Sequence, residues 1–136
     1  MRILGIDPGE KNIGVSISDP TGTLASPLTI IQHTSRDLDA ASISAIAREN
    51  EVDLIIVGQA LDHEGIPTVS GRSAKRLAAT IKRHIDIPVV LWDESLSTQE
   101  ARKFSSKKQR KRENEHLDDL AASIILQSYL DTVNDS

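Results

Sequence analysis

Three acidic residues occupy positions where chemistry is a better explanation than simple surface charge. Asp7 and Glu94 each follow a short apolar run, and Asp118 lies within an apolar stretch near the end of the chain. Asp118 is separated by helical spacing from Ala122 and Ile125, which predicts that it shares their packed face. An ionised carboxylate near a core is costly unless it is paired or binds a metal. These residues are therefore the candidates for chemistry.

The residue types indicate what that chemistry would be. Carboxylates without histidine or cysteine suit hard cations such as Mg²⁺ or Mn²⁺. Binding sites in open α/β sheets form outside the carboxyl ends of strands, where Asp7 and Glu94 are expected. One or two ions held there can activate a water and stabilise a leaving oxygen. The pattern predicts hydrolysis of a phosphate ester, with Asp7, Glu94 and Asp118 as metal ligands.

Each acidic residue also has a simpler interpretation when it is taken alone. Asp7 precedes Pro8 and Gly9, so it could form an Asx turn. Glu94 could be a charge favoured at the start of a helix. Asp118 could be an exposed residue of a first helical turn. Only the expected meeting of all three favours the catalytic interpretation.

The first third of the chain predicts an antiparallel meander. Strands are expected at 2–6, 13–18 and 24–32, and the segment 19–22 has the composition of a type I turn. Pro27 cannot donate a hydrogen bond to a neighbouring strand. The third strand is therefore expected to lie at an edge of the sheet or to contain a bulge.

Helices and buried strands alternate in the remainder, which predicts an α/β fold with a mixed sheet. The first helix is expected to begin at Thr34 or Ser35 and to bury a stripe formed by Leu38, Ala41, Ala45 and Ile46. The second is expected to bury Leu77, Ala78, Ile81 and Ile85. The predicted elements are a helix from 34 or 35 to 51, a strand at 52–58, a helix at 70–85, a buried strand at 87–94, a short helix with a capping box at 97–100, and a helix at 114–133.

Composition sets the class of protein. The 136 residues suit a single domain, 1–136, and contain no cysteine, which excludes disulfides and cysteine-ligated zinc. No apolar segment is long enough to span a membrane, and no signal peptide is evident. We therefore expect a cytoplasmic protein without a membrane partner. One Trp, one Tyr and one Phe make a base-stacking platform an unlikely feature of this chain.

A local basic run stands out from a chain whose net charge is −4. We expect a basic, mobile loop at about 105–113, and it contains Lys107, Lys108, Arg110, Lys111 and Arg112. Such a run could be a solvated loop, or it could contact a phosphate backbone. Further cations, Arg72, Lys75 and Arg76, are expected on the outer face of the helix at 70–85.

Four stretches, taken together, resemble a known family. "GIDPGEKNIGVSISD", "VGQALDHEG", "WDESLSTQEAR" and "DDLAASIILQSYL" are similar, in order and spacing, to the motifs of the YqgF family, also called RuvX-like Holliday junction resolvases. This family lies within the ribonuclease H-like superfamily. The resemblance covers essentially the whole chain. It implies a five-stranded mixed sheet in the order 3-2-1-4-5, with the first three strands antiparallel and helices on both faces.

The resemblance also implies site residues. The family's acidic positions fall on Asp7, Glu94 and Asp118, the same three that the pattern of carboxylates selects. A family lysine falls on Lys11, which could meet a phosphate or be an ordinary exposed turn residue. The chain departs from the family where Asn12 and Ser95 replace arginines, and where 58–60 reads Gly-Gln-Ala instead of Gly-Leu-Pro. Ala121 also stands where RuvC-type resolvases carry a further acid.

Three functional hypotheses follow. The first is a metal-dependent nuclease that processes the 5′ end of precursor 16S ribosomal RNA, a role implied by the resemblance. The second is a Holliday junction resolvase acting as a homodimer on branched DNA, since two symmetric cuts call for two-fold symmetry. The third is a non-catalytic nucleic-acid-binding protein that retains the fold.

Overall fold

The computed structural model describes residues 1–95 and 117–135, with side chains described for 1–95 and 120–135. The predicted basic loop at 105–113 and the predicted short helix at 97–100 lie outside these residues. The elements are β1 (Ile3–Pro8), β2 (Asn12–Ser18), β3 (Ala25–Gln32), α1 (Arg36–Glu49), β4 (Leu54–Gln59), α2 (Val69–His84), β5 (Val89–Asp93) and α3 (Leu117–Asn134). Within the described part of the chain, no helix has the length and apolar character needed to cross a bilayer.

The five strands form one sheet in the order β3-β2-β1-β4-β5. β2 pairs antiparallel with β1 and β3, whereas β4 pairs parallel with β1 and β5. The predicted strand order and directions are confirmed. β1 and β4 are thus neighbours whose carboxyl ends lie at the same end of the sheet, which is the arrangement the candidate site requires.

β3 is an edge strand with an irregular register, as Pro27 predicts. Val15 pairs with Thr29, but the next residue of β2, Ser16, pairs with Pro27. Leu28 is therefore the extra residue of a bulge, because proline has no N–H to continue the ladder. The turn before β3 is also confirmed, since the N–H of Gly22 donates to the carbonyl of Asp19 at 3.0 Å.

Side-chain alternation along the strands divides the core into two layers. Leu4 and Ile6 pack on the face covered by α1 and α2, whereas Ile3 packs with Leu126 and Leu130 of α3 on the other face. β4 is buried on both faces because α2 covers one face of it and α3 the other. The prediction of an equally buried last strand was wrong. β5 is an edge strand in which only Val89 is fully buried.

Ser35 caps α1 by accepting from the N–H of Leu38, but the predicted apolar stripe of the helix was wrong at Leu38, which is 60% exposed. Ile46 does pack against the core as a partly buried residue. The fully buried residues of the helix are Asp39, Ala40, Ile43, Ser44 and Ala47. The reason is a polar contact. Asp39 accepts hydrogen bonds from the His33 ring and the Thr34 N–H, and this turns its side of the helix inward.

α2 meets the sequence prediction more closely. Leu77, Ala78 and Ile81 are buried, and Ile85 packs against the same core as a partly buried residue. The helix begins close to the end of β4, where a methyl group placed on Gly71 would lie 2.1 Å from the Ala60 carbonyl oxygen. Gly71 therefore allows the first turn of α2 to sit against the chain that leaves β4.

Ser44 provides a test of the α1 packing. It is fully buried, and its hydroxyl has no hydrogen-bond partner among the atoms the structure describes. Burying such a group is costly, and alanine is also the better helix former. We expect Ser44→Ala to raise the free energy of unfolding in urea by about 1 kcal/mol. The exposed Ser42→Ala is the control for helix propensity, and an equal gain in both variants would contradict this account.

Candidate active site

Asp7 lies at the carboxyl end of β1 on the sheet face that α3 covers. Successive residues of a strand point to opposite faces, so Ile3, Gly5 and Asp7 share one face. A methyl group placed on Gly5 would lie 2.8 Å from the Cβ of Leu126 in α3. This close contact identifies the shared face as the α3 face. The Asp7 side chain is only partly exposed.

Glu94 lies on that same face, directly after β5. Its N–H donates to the Gln59 carbonyl at 3.1 Å, which continues the pairing between β4 and β5 by one residue. Two residues earlier, Trp92 donates from its indole nitrogen to Ser128 of α3 at 3.2 Å. By strand alternation Glu94 therefore faces α3, as Asp7 does.

Gly58 of β4 lies between the strands that carry the two acidic residues, and its lack of a side chain accommodates α3. A methyl group placed on Gly58 would lie 2.8 Å from Cδ1 of Ile125 in α3, 3.4 Å from the Ile6 carbonyl oxygen and 3.5 Å from Glu94 Oε2. The Glu94 carboxylate therefore reaches over β4 toward the end of β1. On the other side of Asp7, the paired residue of β2 is Gly14. Asp7 is thus flanked by two strand positions that have no side chain.

Sequence analysis alone did not identify this role for Gly58. The available signal is the position of a glycine as the last residue of the apolar run 52–58. A glycine there suggests close approach of another group, but the sequence does not name the group. The structure shows that the closest group is Ile125 of α3, whose Cδ1 would lie 2.8 Å from a methyl group placed on Gly58.

The backbone of α3 places residue 118 at the same end of the sheet. The Ala122 carbonyl accepts a hydrogen bond from Ser16 Oγ at 2.8 Å, beside Gly5. At the far end of α3, the side chain of Asn134 donates to the Gly22 carbonyl. α3 therefore runs antiparallel to β1. Residue 118, one turn before Ala122, lies toward the end of β1 that carries Asp7.

The environment of Glu94 opposes its ionisation. Burial raises the pKa of Glu94 above its ordinary value, and the negative charge of Asp93 raises it further. A buried carboxylate with a raised pKa is characteristic of functional sites, although structural pairs also produce such shifts. A cation placed beside Glu94 would reverse the effect by favouring the charged form.

The raised pKa leads to a prediction for the metal-free protein. Since the folded state binds the Glu94 proton more tightly than the unfolded state does, stability falls as the pH rises through the ordinary glutamate pKa toward the raised one. We expect Glu94→Gln, which cannot ionise, to melt at a higher temperature than the wild type at pH 7. The difference should disappear below about pH 4.

Scanning calorimetry in EDTA measures this difference. The matched control is Glu64→Gln, a substitution in an exposed loop. A Glu94→Gln protein that melts below the wild type at pH 7 would contradict the account of an ionisation opposed by burial.

Four of the predicted phosphate-contacting cations are described, and these lie at the same end of the sheet but not all on the same face. Lys11 is exposed in the turn between β1 and β2. Arg72, Lys75 and Arg76 are exposed on α2, which covers the face opposite to Asp7 and Glu94. The first turn of α2 is fixed to the end of β4 by a hydrogen bond from the Gln59 amide to the Gly71 carbonyl. The other predicted contacts, Lys107, Lys108, Arg110, Lys111 and Arg112, lie outside the described residues.

The order of the strands and the helices on both faces define a class of fold, the one that the family resemblance implies. Two solved resolvases share the fold. Thermus thermophilus RuvC in complex with a Holliday junction substrate has a TM-score of 0.64 at 12% identity, with 100% of this chain and 97% of RuvC covered. The fowlpox virus resolvase in complex with Holliday junction DNA has a TM-score of 0.57 at 17% identity, with coverage of 98% and 99%.

The chain belongs to the RuvX family, described as Holliday junction resolvases, whose model matches residues 1–132. Several curated relatives carry the name "Putative pre-16S rRNA nuclease". The protein of Thermoanaerobacter pseudethanolicus is 42% identical over 135 residues, which is 97% of either chain. That of Syntrophus aciditrophicus is 39% identical, over 98% of this chain and 91% of its own. The predicted family and nuclease role are confirmed.

Proposed function

We propose that this protein is a metal-dependent nuclease that hydrolyses phosphodiester bonds of nucleic acid, with Asp7, Glu94 and Asp118 as its catalytic residues. The observation that carries the proposal is the placement of Asp7 and Glu94. They come from strands that are distant in sequence, yet they lie on one face at one end of the sheet, on either side of Gly58. Neither position contributes to packing in the way its apolar neighbours do.

The chemistry of Asp7 and Glu94 suits a divalent cation, but within residues 1–95 and 120–135 no three His, Cys, Asp or Glu side chains are grouped closely enough to hold one without a further ligand. The donors are carboxylate oxygens, which hard cations such as Mg²⁺ and Mn²⁺ prefer. Gly58 has no side chain beside Glu94 Oε2, and burial together with the charge of Asp93 raises the pKa of Glu94, an effect that a bound cation would oppose. Asp7, Glu94 and Asp118 would hold the ion. When bound, one or two such ions supply water activation and stabilisation of the leaving oxygen.

The protein's own residues have two further tasks in this proposal. Asp7 and Glu94 are held by strands on either side of β4 in one sheet, so they keep a fixed spacing, which favours one orientation of the bound phosphate. Lys11, Arg72, Lys75 and Arg76, with the basic run Lys107, Lys108, Arg110, Lys111 and Arg112, neutralise the nucleic-acid backbone. α2 is suited to this because its sequence contains five lysines and arginines and no acidic residue.

For the substrate we propose precursor 16S ribosomal RNA, which would place the protein in the cytoplasm. The support is the name shared by relatives that match nearly the whole chain. A second candidate is branched DNA, cut by a homodimer. The specific support for it is the family description and the likeness of the fold to a RuvC solved on a Holliday junction.

Cleavage assays with two substrates separate these candidates. Purified protein with Mg²⁺ or Mn²⁺ is incubated with a precursor 16S fragment and with a four-way DNA junction, and its solution mass is measured. We expect cleavage of the RNA by a monomer. Selective symmetric cutting of the junction by a dimer would favour the resolvase. Binding to either substrate without any cleavage would favour the non-catalytic alternative and overturn the proposal.

A further inference from the structure

A second polar site lies on the opposite face of the sheet from Asp7 and Glu94. It is an open cavity of about 440 Å³ between the turn that follows β1 and the first turns of α1 and α2. The turn contributes Pro8, Gly9 and Glu10 to its wall. Pro8 directly follows Asp7, so this cavity and the candidate active site are separated only by the edge of the sheet.

A histidine held by a buried carboxylate forms part of the wall. The side chain of Asp39 is 3% exposed, and its Oδ2 lies 2.5 Å from His33 Nδ1. Its Oδ1 accepts from the Thr34 N–H at 3.1 Å. The carboxylate partner assigns the proton to Nδ1, which leaves Nε2 as the nitrogen open to a ligand. The His33 side chain is 43% exposed, so a ligand can reach it.

The other polar groups of the cavity are mainly hydrogen-bond donors. Arg36 contributes a guanidinium, and Ser35 and Ser73 contribute hydroxyls. Glu10 is the one exposed acid among the lining residues and lies on the open side of the turn. A phosphate group accepts strongly from a guanidinium and from hydroxyls, and Nε2 of His33 is a further donor whenever the ring carries both protons.

The cavity is connected to the candidate active site through the backbone. The N–H of His33 donates to the Lys11 carbonyl at 2.9 Å, which fixes the end of β3 to the turn between β1 and β2. That turn begins after Pro8, the residue that follows Asp7. A nucleic-acid strand that crosses this edge would therefore meet Asp7 on one side and the cavity on the other.

We propose that this cavity binds a phosphate group of the substrate away from the bond that is cut, through His33 and Arg36, with Asp39 as the positioning residue for His33. The site rests on the proposed nuclease function for its biological ligand, but its phosphate-binding property can be measured separately. The phosphate could be an internal phosphodiester or the terminal phosphate of a strand, and both offer the same oxygen acceptors.

The direct experiment is an NMR titration of the full chain with inorganic phosphate, in which the histidine ring protons are observed. We expect the His33 resonances to shift saturably, and those of His84, at the far end of α2, to stay in place. Arg36→Gln should weaken the response of His33. Asp39→Asn should weaken it in a protein that remains folded, which a purely structural role would not do. Equal shifts of all histidines, or no shift at His33, would overturn the proposal.

A second experiment uses substrate. We expect His33→Gln and Arg36→Gln each to raise KM about tenfold and leave kcat unchanged, because they contact a phosphate outside the reacting centre. His84→Gln is the matched control. A lower kcat at unchanged KM would contradict the proposal that these residues bind a phosphate away from the bond that is cut. Substrates with and without a 5′-phosphate show whether the cavity binds a terminal or an internal phosphate. If it binds a terminal phosphate, the substitutions should raise KM only for the substrate that carries the 5′-phosphate.

The two proposals can fail independently. If the protein cuts nothing, the nuclease proposal fails. The phosphate titration, and the nucleic-acid affinity of His33→Gln compared with that of the wild type, still test whether the cavity binds phosphate. If Asp7→Asn abolishes cleavage and His33→Gln neither changes KM nor alters the phosphate response, the cavity proposal alone fails.

Discussion

Replacing Asp7 with asparagine should lower the rate of phosphodiester cleavage by at least about a thousandfold while leaving the fold intact. Asparagine has the same shape but lacks the negative charge that holds a divalent cation. Metal stabilisation of the transition state is worth several kcal/mol, and each 1.4 kcal/mol corresponds to a factor of ten in rate. Since Asp7 is only partly buried at the end of β1, the free energy of unfolding should change little.

Single-turnover cleavage in saturating Mn²⁺ measures the effect. The matched control is Asp86→Asn, an exposed residue in the connection between α2 and β5 at the opposite end of the sheet, and it should cut at the wild-type rate. An Asp7→Asn protein that keeps more than about a tenth of the activity would remove Asp7 from the catalytic set.

Metal binding offers an independent readout of the same variant. Trp92 is the single tryptophan of the chain and lies two residues before Glu94, on the same face. Paramagnetic Mn²⁺ bound between Asp7 and Glu94 should quench its fluorescence. We expect quenching in the wild type and little in Asp7→Asn. Equal quenching in both proteins would show that the ion is held without Asp7.

The second large effect is expected at Gly5, where α3 approaches the sheet most closely. A methyl group there would lie 2.5 Å from Ser16 Oγ and 2.8 Å from the Cβ of Leu126. A Cβ atom cannot turn away as the end of a side chain can, so the helix itself must move. We expect Gly5→Ala to lower the free energy of unfolding by about 3 kcal/mol.

The activity of Gly5→Ala should fall together with its stability. The displaced part of α3 includes Ala122, one turn from residue 118, so the helix would carry the third acidic position away from β1. Urea unfolding and cleavage are measured on the same preparations. Ser26→Ala, on the exposed edge strand β3, should change the free energy of unfolding by less than about 0.5 kcal/mol. A Gly5→Ala protein with the stability and the cleavage rate of the wild type would contradict the close packing of α3.

Combining Gly5→Ala with Ser16→Ala tests the source of the loss. Removing the hydroxyl relieves the shorter of the two contacts, but it also removes the hydrogen bond from Ser16 to the Ala122 carbonyl. The contact with Leu126 remains. We therefore expect the double variant to stay well below the wild type in stability, because the position of the helix is limited by Leu126.

Sequence reasoning succeeded where the signal was local. Pro27 lacks an N–H, and this alone predicts an edge or bulged position for the third strand, which is what the register shows. The two acidic residues at strand ends were likewise found from the apolar runs that precede them. Such signals depend only on neighbours in the chain, so they can be recognised without knowing the fold.

Sequence reasoning failed where a distant or unusual contact overrode the local pattern. The helical spacing of Leu38, Ala41, Ala45 and Ile46 suggested a buried stripe for α1, yet Leu38 is exposed. Asp39 is buried instead because its carboxylate accepts hydrogen bonds from the His33 ring and the Thr34 N–H. A prediction from hydrophobic periodicity assigns every aspartate to the solvent-exposed face of a helix. It therefore misses a carboxylate that is buried because its oxygens accept hydrogen bonds.

The sequence by itself determined the class of fold, the strand order through its resemblance to the RuvX family, and the identity of Asp7, Glu94 and Asp118 as candidates. Only the tertiary structure decided what surrounds them. It placed Gly58 under the carboxylate of Glu94, set α3 against Gly5, and assembled His33, Asp39 and Arg36 around a cavity beside the same edge. The physical reason is that these contacts join residues from different strands and helices. Their spacing depends on strand pairing and helix packing, which no local pattern of residues encodes.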